Sequence, residues 1–284
     1  MLDVAGDELV VIANTADDIE IHGAYVSPDP DLCTFWLADR IDERGWGLKD
    51  DTFAAMDMLR ELGEDIWFNL GDRDLAIGLH RARRLREGAR LTETLAELGA
   101  ALGVRARVLP MSDAPVRSWV LSGEDWTSFQ EFMIRHRAAG PVDGMELRGI
   151  EAAASPPEAL EAIAAARAIV IGPSNPVISI NPILEVPGMR DAISSSAAKV
   201  VAVSPLVDGA VVKGPTEAFM AWAGFDLTAA GVASYYGGIL DGMVSDERDA
   251  GGLPVAVMDT LMSDAAARER VARETLRFAE ALAS

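Results

Sequence analysis

Four short runs of continuous apolar, largely β-branched residues constrain the architecture most: ELVVIAN over residues 8–14, ARAIVIG over 166–172, KVVAVS over 199–204 and VAVMDT over 255–260. A run that is apolar at nearly every position has no solvent face, so it belongs in a sheet covered on both sides, and such sheets are parallel. Parallel neighbours need a crossover, and the intervening segments have helical character. PPEALEAIAAA starts with proline, residues 187–195 lead through another helix, and residues 264–282 form a long amphipathic one. This alternation predicts right-handed βαβ crossovers in an α/β protein, with a Rossmann-like, mostly parallel sheet and flanking helices.

The middle of the N-terminal half departs from that rhythm. LCTFWLADRI has helical apolar spacing, and DTFAAMDMLREL places Phe53, Met56 and Leu59 on one face before a stop at Gly63. An arginine-rich helix through Arg86 follows, then a helix over Glu93–Leu102 with Thr92 as its cap, before short strands at RARVLP and WVLS. No internal repeat or low-complexity linker interrupts the 284 residues. The expectation is one continuous α/β unit with a helical insertion over about residues 34–102.

The first apolar run delivers an acidic stretch, NTADDIEIHGAYVSPDPD, over Asn14–Asp31. Asp17, Asp18, Glu20, Asp29 and Asp31 lie in it, while the first Lys or Arg of the chain is Arg40. Uncompensated carboxylates in a folded site need water or a cation to balance them. Ligands of open α/β sheets bind outside the carboxyl ends of strands, which is where Asp17 and Asp18 fall. A solvated acidic loop and a metal site handling phosphate both fit this stretch, and Asp29 and Asp31 also suit capping of the following helix.

The formal charge of −20 and the pI near 4.5 exclude a nucleic-acid backbone as main partner, since that binding needs clustered cations. The one dense basic patch is Arg73, Arg81, Arg83, Arg84 and Arg86, readable as an exposed face paired with acids or as an anion-recognising set. The single cysteine, Cys33, excludes an intrachain disulfide, and His22, His80 and His136 have no partner at ligand spacing. Neither a signal-peptide pattern nor a membrane-length apolar run is present, so a cytoplasmic protein is expected. GPSNPVISINPIL, after the second apolar run, reads as a polar, proline-rich loop in which Ser174 and Asn175 directly follow a strand.

Taken together in one order, NTADD, SPDPD, RGWG with DDTF, LGDRD, LPMSD, GPSNPVISINPIL, VPGMRDAI, VVAVSPLVDG and SDERDA resemble the 2-phospho-L-lactate transferase family (CofD) of coenzyme F-420 biosynthesis. The resemblance implies a nucleotide-binding α/β fold, usually dimeric, that uses magnesium. It implies transfer of a phospholactyl or phosphoenolpyruvyl group from a guanosine diphosphate conjugate to the ribitol hydroxyl of the deazaflavin Fo, with release of GMP. On matching positions, Asp17, Asp18 and Asp31 would serve the metal and the acceptor, and Asn69 would lie near the deazaflavin. Asn14, Ser174 and Asn175 would lie toward the nucleotide; Arg73, read from the basic patch and not carried over from the family, is expected to contact anionic substrate. Family members open with a strand and a Gly-rich turn that this chain, starting Met1-Leu2-Asp3, lacks; a start placed at an internal methionine is the favoured expectation, with a truncated, inactive form as the alternative. The alternative from a different class is a non-catalytic nucleotide or sugar-nucleotide binding regulator resembling the gluconeogenesis-factor proteins.

Overall fold

A computed structural model describes residues 1–283, which fall into two compact units. One comprises Met1–Gly6, Pro141–Gly144 and the chain from Pro157 onward; the other comprises Asp7–Gly140 and Met145–Pro156. The first unit opens with a single helical turn, α1 (Leu2–Ala5).

The unit carrying the acidic stretch begins with β1 (Val10–Ala13), which pairs in parallel with β4 (Arg107–Pro110) in the register Val10↔Arg107 to Ala13↔Pro110. Between them stand β2 (Ile19–Ile21), β3 (Ala24–Val26), α2 (Pro28–Leu37), α3 (Ala54–Glu61), α4 (Asp72–Arg86) and α5 (Leu91–Ala101). Strands β2 and β3 form a hairpin turned by His22 and Gly23, with φ of 51° and 77°. Two consecutive left-handed residues are what a two-residue hairpin turn demands, and glycine at the second supplies one without strain. β5 (Arg117–Ser122), β6 (Asp125–Ser128) and β7 (Gly144–Arg148) make a second sheet in the order β6-β5-β7.

Gly78 of α4 lets that helix lie directly on β3. A Cβ there would stand 2.9 Å from Ala24 Cβ and 3.2 Å from the Tyr25 carbonyl oxygen. The hairpin's inner face then packs as Ala24 and Val26 with Met56 and Leu70, while Tyr25 packs with Leu91 and Leu95. Met56, read as core from its spacing, is fully buried.

The other unit holds α6 (Pro157–Ala165), β8 (Ala168–Ile171), α7 (Asn181–Glu185), α8 (Met189–Ser195), β9 (Lys199–Val203), β10 (Leu206–Val207) and β11 (Ala210–Val211). They are followed by α9 (Thr216–Trp222), α10 (Ala229–Tyr235), β12 (Gly242–Ser245), β13 (Val255–Val257) and α11 (Ala265–Leu282). Its four-stranded sheet runs β13-β12-β9-β8, parallel throughout, as the later apolar runs predict. Val203, Val244 and Val271 form a core against which Phe278 packs, so α11 covers the sheet. The mixed α/β, Rossmann-like expectation holds for the chain.

The segment read as a proline-rich loop is helical. A wide turn over Pro176–Ile180 runs into α7. Asn175 causes this: its Oδ1 accepts the Val177 and Ile178 N–H groups at 3.0 and 3.2 Å, and Pro176 presets the first helical φ. No helix among the described residues is long and apolar enough to cross a membrane.

Candidate active site

The acidic turn is organised by Asn14, which ends β1. Its Oδ1 accepts the Ala16 N–H at 2.9 Å, folding the chain back on itself, and its Nδ2 donates to Asp17 Oδ2 at 3.0 Å. The turn is then stitched to a distant segment, because Ser118 N–H donates to the Ala16 carbonyl at 2.7 Å and Gln130 Nε2 to the Asp17 carbonyl at 3.1 Å. Asp17 and Asp18 consequently lie inside the protein at 6% and 3% exposure. They are not a solvated loop.

Asp18 Oδ1 accepts the Ser27 hydroxyl at 2.8 Å, but Asp18 Oδ2 and Asp17 Oδ1 are buried with no hydrogen-bond partner. Buried carboxylate oxygens are nearly always satisfied, so these two on consecutive residues leave acceptor capacity that a donor or a cation can take up. Their ionisation records the cost. Burial, then the charge of Asp29, pushes the Asp17 carboxyl well above its usual range, with Ser118 and Asn14 opposing. Burial raises Asp18 to about 7 against the pull of Arg117, and raises Asp29 to about 6 against the hydrogen bond of Asn14. Neither Asp17 nor Asp29 has a cationic side chain opposing the cost of burial, and Asp18 has Arg117 and Arg81 acting on it without an ion pair, a condition that a bound cation relieves. Among the described residues no three His, Cys, Asp or Glu side chains gather into a ready-made metal cage. A hard cation that keeps most of its waters needs only one or two carboxylates.

Asp17 and Asp18 line a cavity of about 170 Å³, together with Arg117, Ser118, Trp119 and Gln130. Asp31 is placed differently. Both of its oxygens are taken by Arg81, through Nη2–Oδ1 and a 3.1 Å Nη1–Oδ2 bond, and Arg81 Nη1 also donates to the Tyr25 carbonyl at 3.0 Å. Arg81 is 1% exposed, and its charge reaches Asp18 as well as Asp31. The basic helix thus divides: Arg83 and Arg84 make surface pairs with Glu87 and Glu97 at 2.7 and 2.8 Å, whereas Arg81 turns inward to the acidic stretch.

The sequence-derived residues therefore separate into groups. Asn14, Asp17 and Asp18 converge, and Asp31 joins them through Arg81. Asn69 is exposed, its Oδ1 accepting from Arg60 Nη2 at 2.6 Å. Arg73 is exposed at the start of α4, with its N–H on Asp51 and its Nη1 on the Lys49 carbonyl at 3.2 Å. Ser174 and Asn175 belong to the other unit, where Asn175 caps a helical turn and leaves its buried Nδ2 without a partner. Sequence reasoning missed Ser27, Tyr25, Arg117 and Gln130, and left Asp29 among the capping residues. Asp29 carried a usable signal in the shared SPDPD segment; Arg117 carried none, because its contacts span 102 residues.

Comparison with known proteins follows the same lines. The profile of a family described as "2-phospho-L-lactate transferase CofD" matches residues 2–274. The chain is 41% identical over 244 residues to the 2-phospho-L-lactate transferase of Methanosarcina mazei, covering 86% of this chain and 80% of that protein. It is 38% identical over 281 residues to the 2-phospho-L-lactate transferase of Methanopyrus kandleri, covering 96% and 90%. It is also 38% identical over 289 residues to the phosphoenolpyruvate transferase of Kitasatospora aureofaciens, covering 96% and 90%. Among solved structures, a UPF0052 family protein of Bacillus halodurans matches with a TM-score of 0.53 at 18% identity, over 92% of this chain and 81% of that one, a likeness of fold alone.

Proposed function

The chain belongs to the CofD family of 2-phospho-L-lactate transferases, and on that premise we propose that it transfers a phospholactyl or phosphoenolpyruvyl group from a guanosine diphosphate conjugate to the deazaflavin Fo in coenzyme F-420 biosynthesis. The observation that carries this reading is the pair of unpartnered buried oxygens, Asp17 Oδ1 and Asp18 Oδ2, at the carboxyl end of β1.

In this reading the terminal ribitol hydroxyl oxygen of Fo forms the new bond to the phosphorus bearing the three-carbon acid. The phosphoanhydride bond to GMP breaks, and GMP leaves with the electron pair. The hydroxyl proton passes to a carboxylate of the Asp17–Asp18 pair, whose raised affinity for protons suits an acceptor working near neutral pH. The other carboxylate of the pair, through its free oxygen, would hold magnesium, which would neutralise diphosphate charge as the bond breaks. Asn14 holds Asp17 in orientation and Ser27 holds Asp18, so no side chain has to reorganise during the step. Asp31, locked by Arg81, and Asn69 are assigned to the acceptor, and Arg73 to an anionic part of substrate. Asn14, Ser174 and Asn175 are assigned to the guanosine nucleotide.

The test is titration of the chain with Fo, followed by fluorescence, together with GMP release from the donor with and without magnesium. Fo is expected to bind, and Asp17→Asn and Asp18→Asn are each expected to lower GMP release at least 100-fold while Fo still binds. Binding of guanosine nucleotide without any binding of Fo would move the chain to the non-catalytic nucleotide-binding class.

A further inference from the structure

One cationic side chain lines the cavity beside Asp17 and Asp18, and it is Arg117. It opens β5, where the Ser118 N–H bonds the Ala16 carbonyl, so the guanidinium is carried to the carboxyl end of β1. Its partners are all neutral. Nη1 donates to the Val116 carbonyl at 2.7 Å and to the Thr15 carbonyl at 3.5 Å, and Nη2 donates to the Tyr25 hydroxyl at 3.0 Å. The guanidinium carbon lies 5.4 Å from the centre of the Tyr25 ring.

Arg81, Arg84 and Arg83 of this unit are paired with Asp31, Glu97 and Glu87, whereas Arg73 and Arg86 donate to backbone carbonyls away from this cavity. Among the described residues no carboxylate forms an ion pair with Arg117; Asp18 feels its charge at longer range without pairing with it. Arg117 is therefore a fixed guanidinium held by neutral partners, in a mouth whose other charged side chains are Asp17, Asp18 and Glu20. Such a mouth repels anions except where a positive group is set to receive them. A planar guanidinium matches a carboxylate through two parallel N–H bonds, a fit that lysine's single ammonium does not reproduce.

We propose that Arg117 is the specificity residue that receives the carboxylate of the three-carbon acid carried by the transferred group. This rests on the transferase reading above, in which that group bears two anionic ends, a phosphoryl and a carboxylate. The Asp17–Asp18 pair would hold a divalent cation serving the phosphoryl end, and the carboxylate requires a counter-charge of its own. Lactyl and enolpyruvyl groups both present that carboxylate, so Arg117 selects for an acid over a neutral group and does not separate the two acids.

The experiment compares phosphoenolpyruvate with an alkyl monophosphate of similar size that lacks the carboxylate. Each is titrated in the presence of magnesium into wild type, R117Q and R117K, with tryptophan fluorescence as the signal, since Trp119 lines the same cavity. Wild type is expected to prefer phosphoenolpyruvate at least tenfold. In R117Q the preference should fall below threefold, through loss of phosphoenolpyruvate affinity alone, and R117K should fall between. If R117Q does not fold, the reduced preference of R117K carries the test. A preference that persists in the variants overturns the proposal, as does an equal weakening of both ligands, which would put Arg117 on the phosphoryl oxygens. A parallel Fo titration separates the two failures: wild type that binds neither Fo nor phosphoenolpyruvate sinks the transferase reading, whereas wild type that binds both with an unaltered preference in R117Q sinks only the role of Arg117.

Discussion

Arg81 shows what a single buried charge requires of its neighbours. A guanidinium at 1% exposure is tolerable only with its partner in place, and Asp31 supplies both oxygens. Arg81→Met strands that carboxylate and is expected to cost about 3–5 kcal/mol, read as a fall in urea midpoint at constant slope. A cost below about 1 kcal/mol would mean the pair is solvated. Asp74 shows the converse. Burial, then the charges of Asp51 and Asp31, pushes its carboxyl up to about 7, and one of its oxygens is unpartnered. A carboxyl with a folded-state value raised above 3.8 supports the fold fully below that value and withdraws its support as pH climbs through 7. A rise from 3.8 to about 7 corresponds to at most about 4 kcal/mol. Stability of the cation-free chain is thus expected to fall from pH 5 to pH 8, and Asp74→Asn to reduce that fall; Asp17, Asp18 and Asp29 act in the same direction and leave a remainder. Urea midpoints at the two pH values decide it. Asp17 and Asp18 were legible in the sequence because they follow an apolar run directly. Arg81 was not, since five arginines share its local pattern and its partners lie 50 and 56 residues away.

At the scale of elements, the approach of α4 to β3 is the contact that places Tyr25 and Arg81 together. Gly78→Val puts side-chain atoms where Ala24 and the Tyr25 carbonyl stand, and is expected to destabilise by about 2–3 kcal/mol despite valine's better helix propensity. Gly99 in α5 is the control: a Cβ there meets only Val104 at 4.0 Å, so Gly99→Ala is expected to stabilise by up to about 1 kcal/mol. Thermal midpoints of the two variants should move in opposite directions. The parallel strands and α11 could be read from apolar runs and amphipathic spacing. The β2–β3 hairpin was hidden, because Asp17, Asp18 and Glu20 crowd its approach and drew attention to charge rather than to the His22-Gly23 turn. Thr92, expected as a helix cap, lies inside α5, and its hydroxyl bonds Asp113 at 2.8 Å. A side chain 21 residues away had a stronger claim on it than the local turn.

For the whole molecule, a formal charge of −20 means that any salt relieves self-repulsion, so a stabilising effect of magnesium needs a reference. At equal ionic strength, magnesium chloride is expected to raise the thermal midpoint of wild type above sodium chloride. A ligand at 100 times its Kd adds about 2.7 kcal/mol. Asp17→Asn should lose most of the magnesium-specific increment and keep the sodium effect. Equal increments in both proteins would show that magnesium only screens the surface.

The stitches from Ala16 to Ser118 and from Asp17 to Gln130 also set a clock. The second spans 113 residues, so the acidic turn cannot take its final shape on a ribosome until that far segment has emerged. Closing so long a loop is slow compared with forming the helices between, whose contacts span shorter stretches of chain. Cation binding should therefore return last during refolding, after helical signal has recovered, and a chain stopped short of Ser118 would hold every acid of the site without the two bonds that tie the turn down.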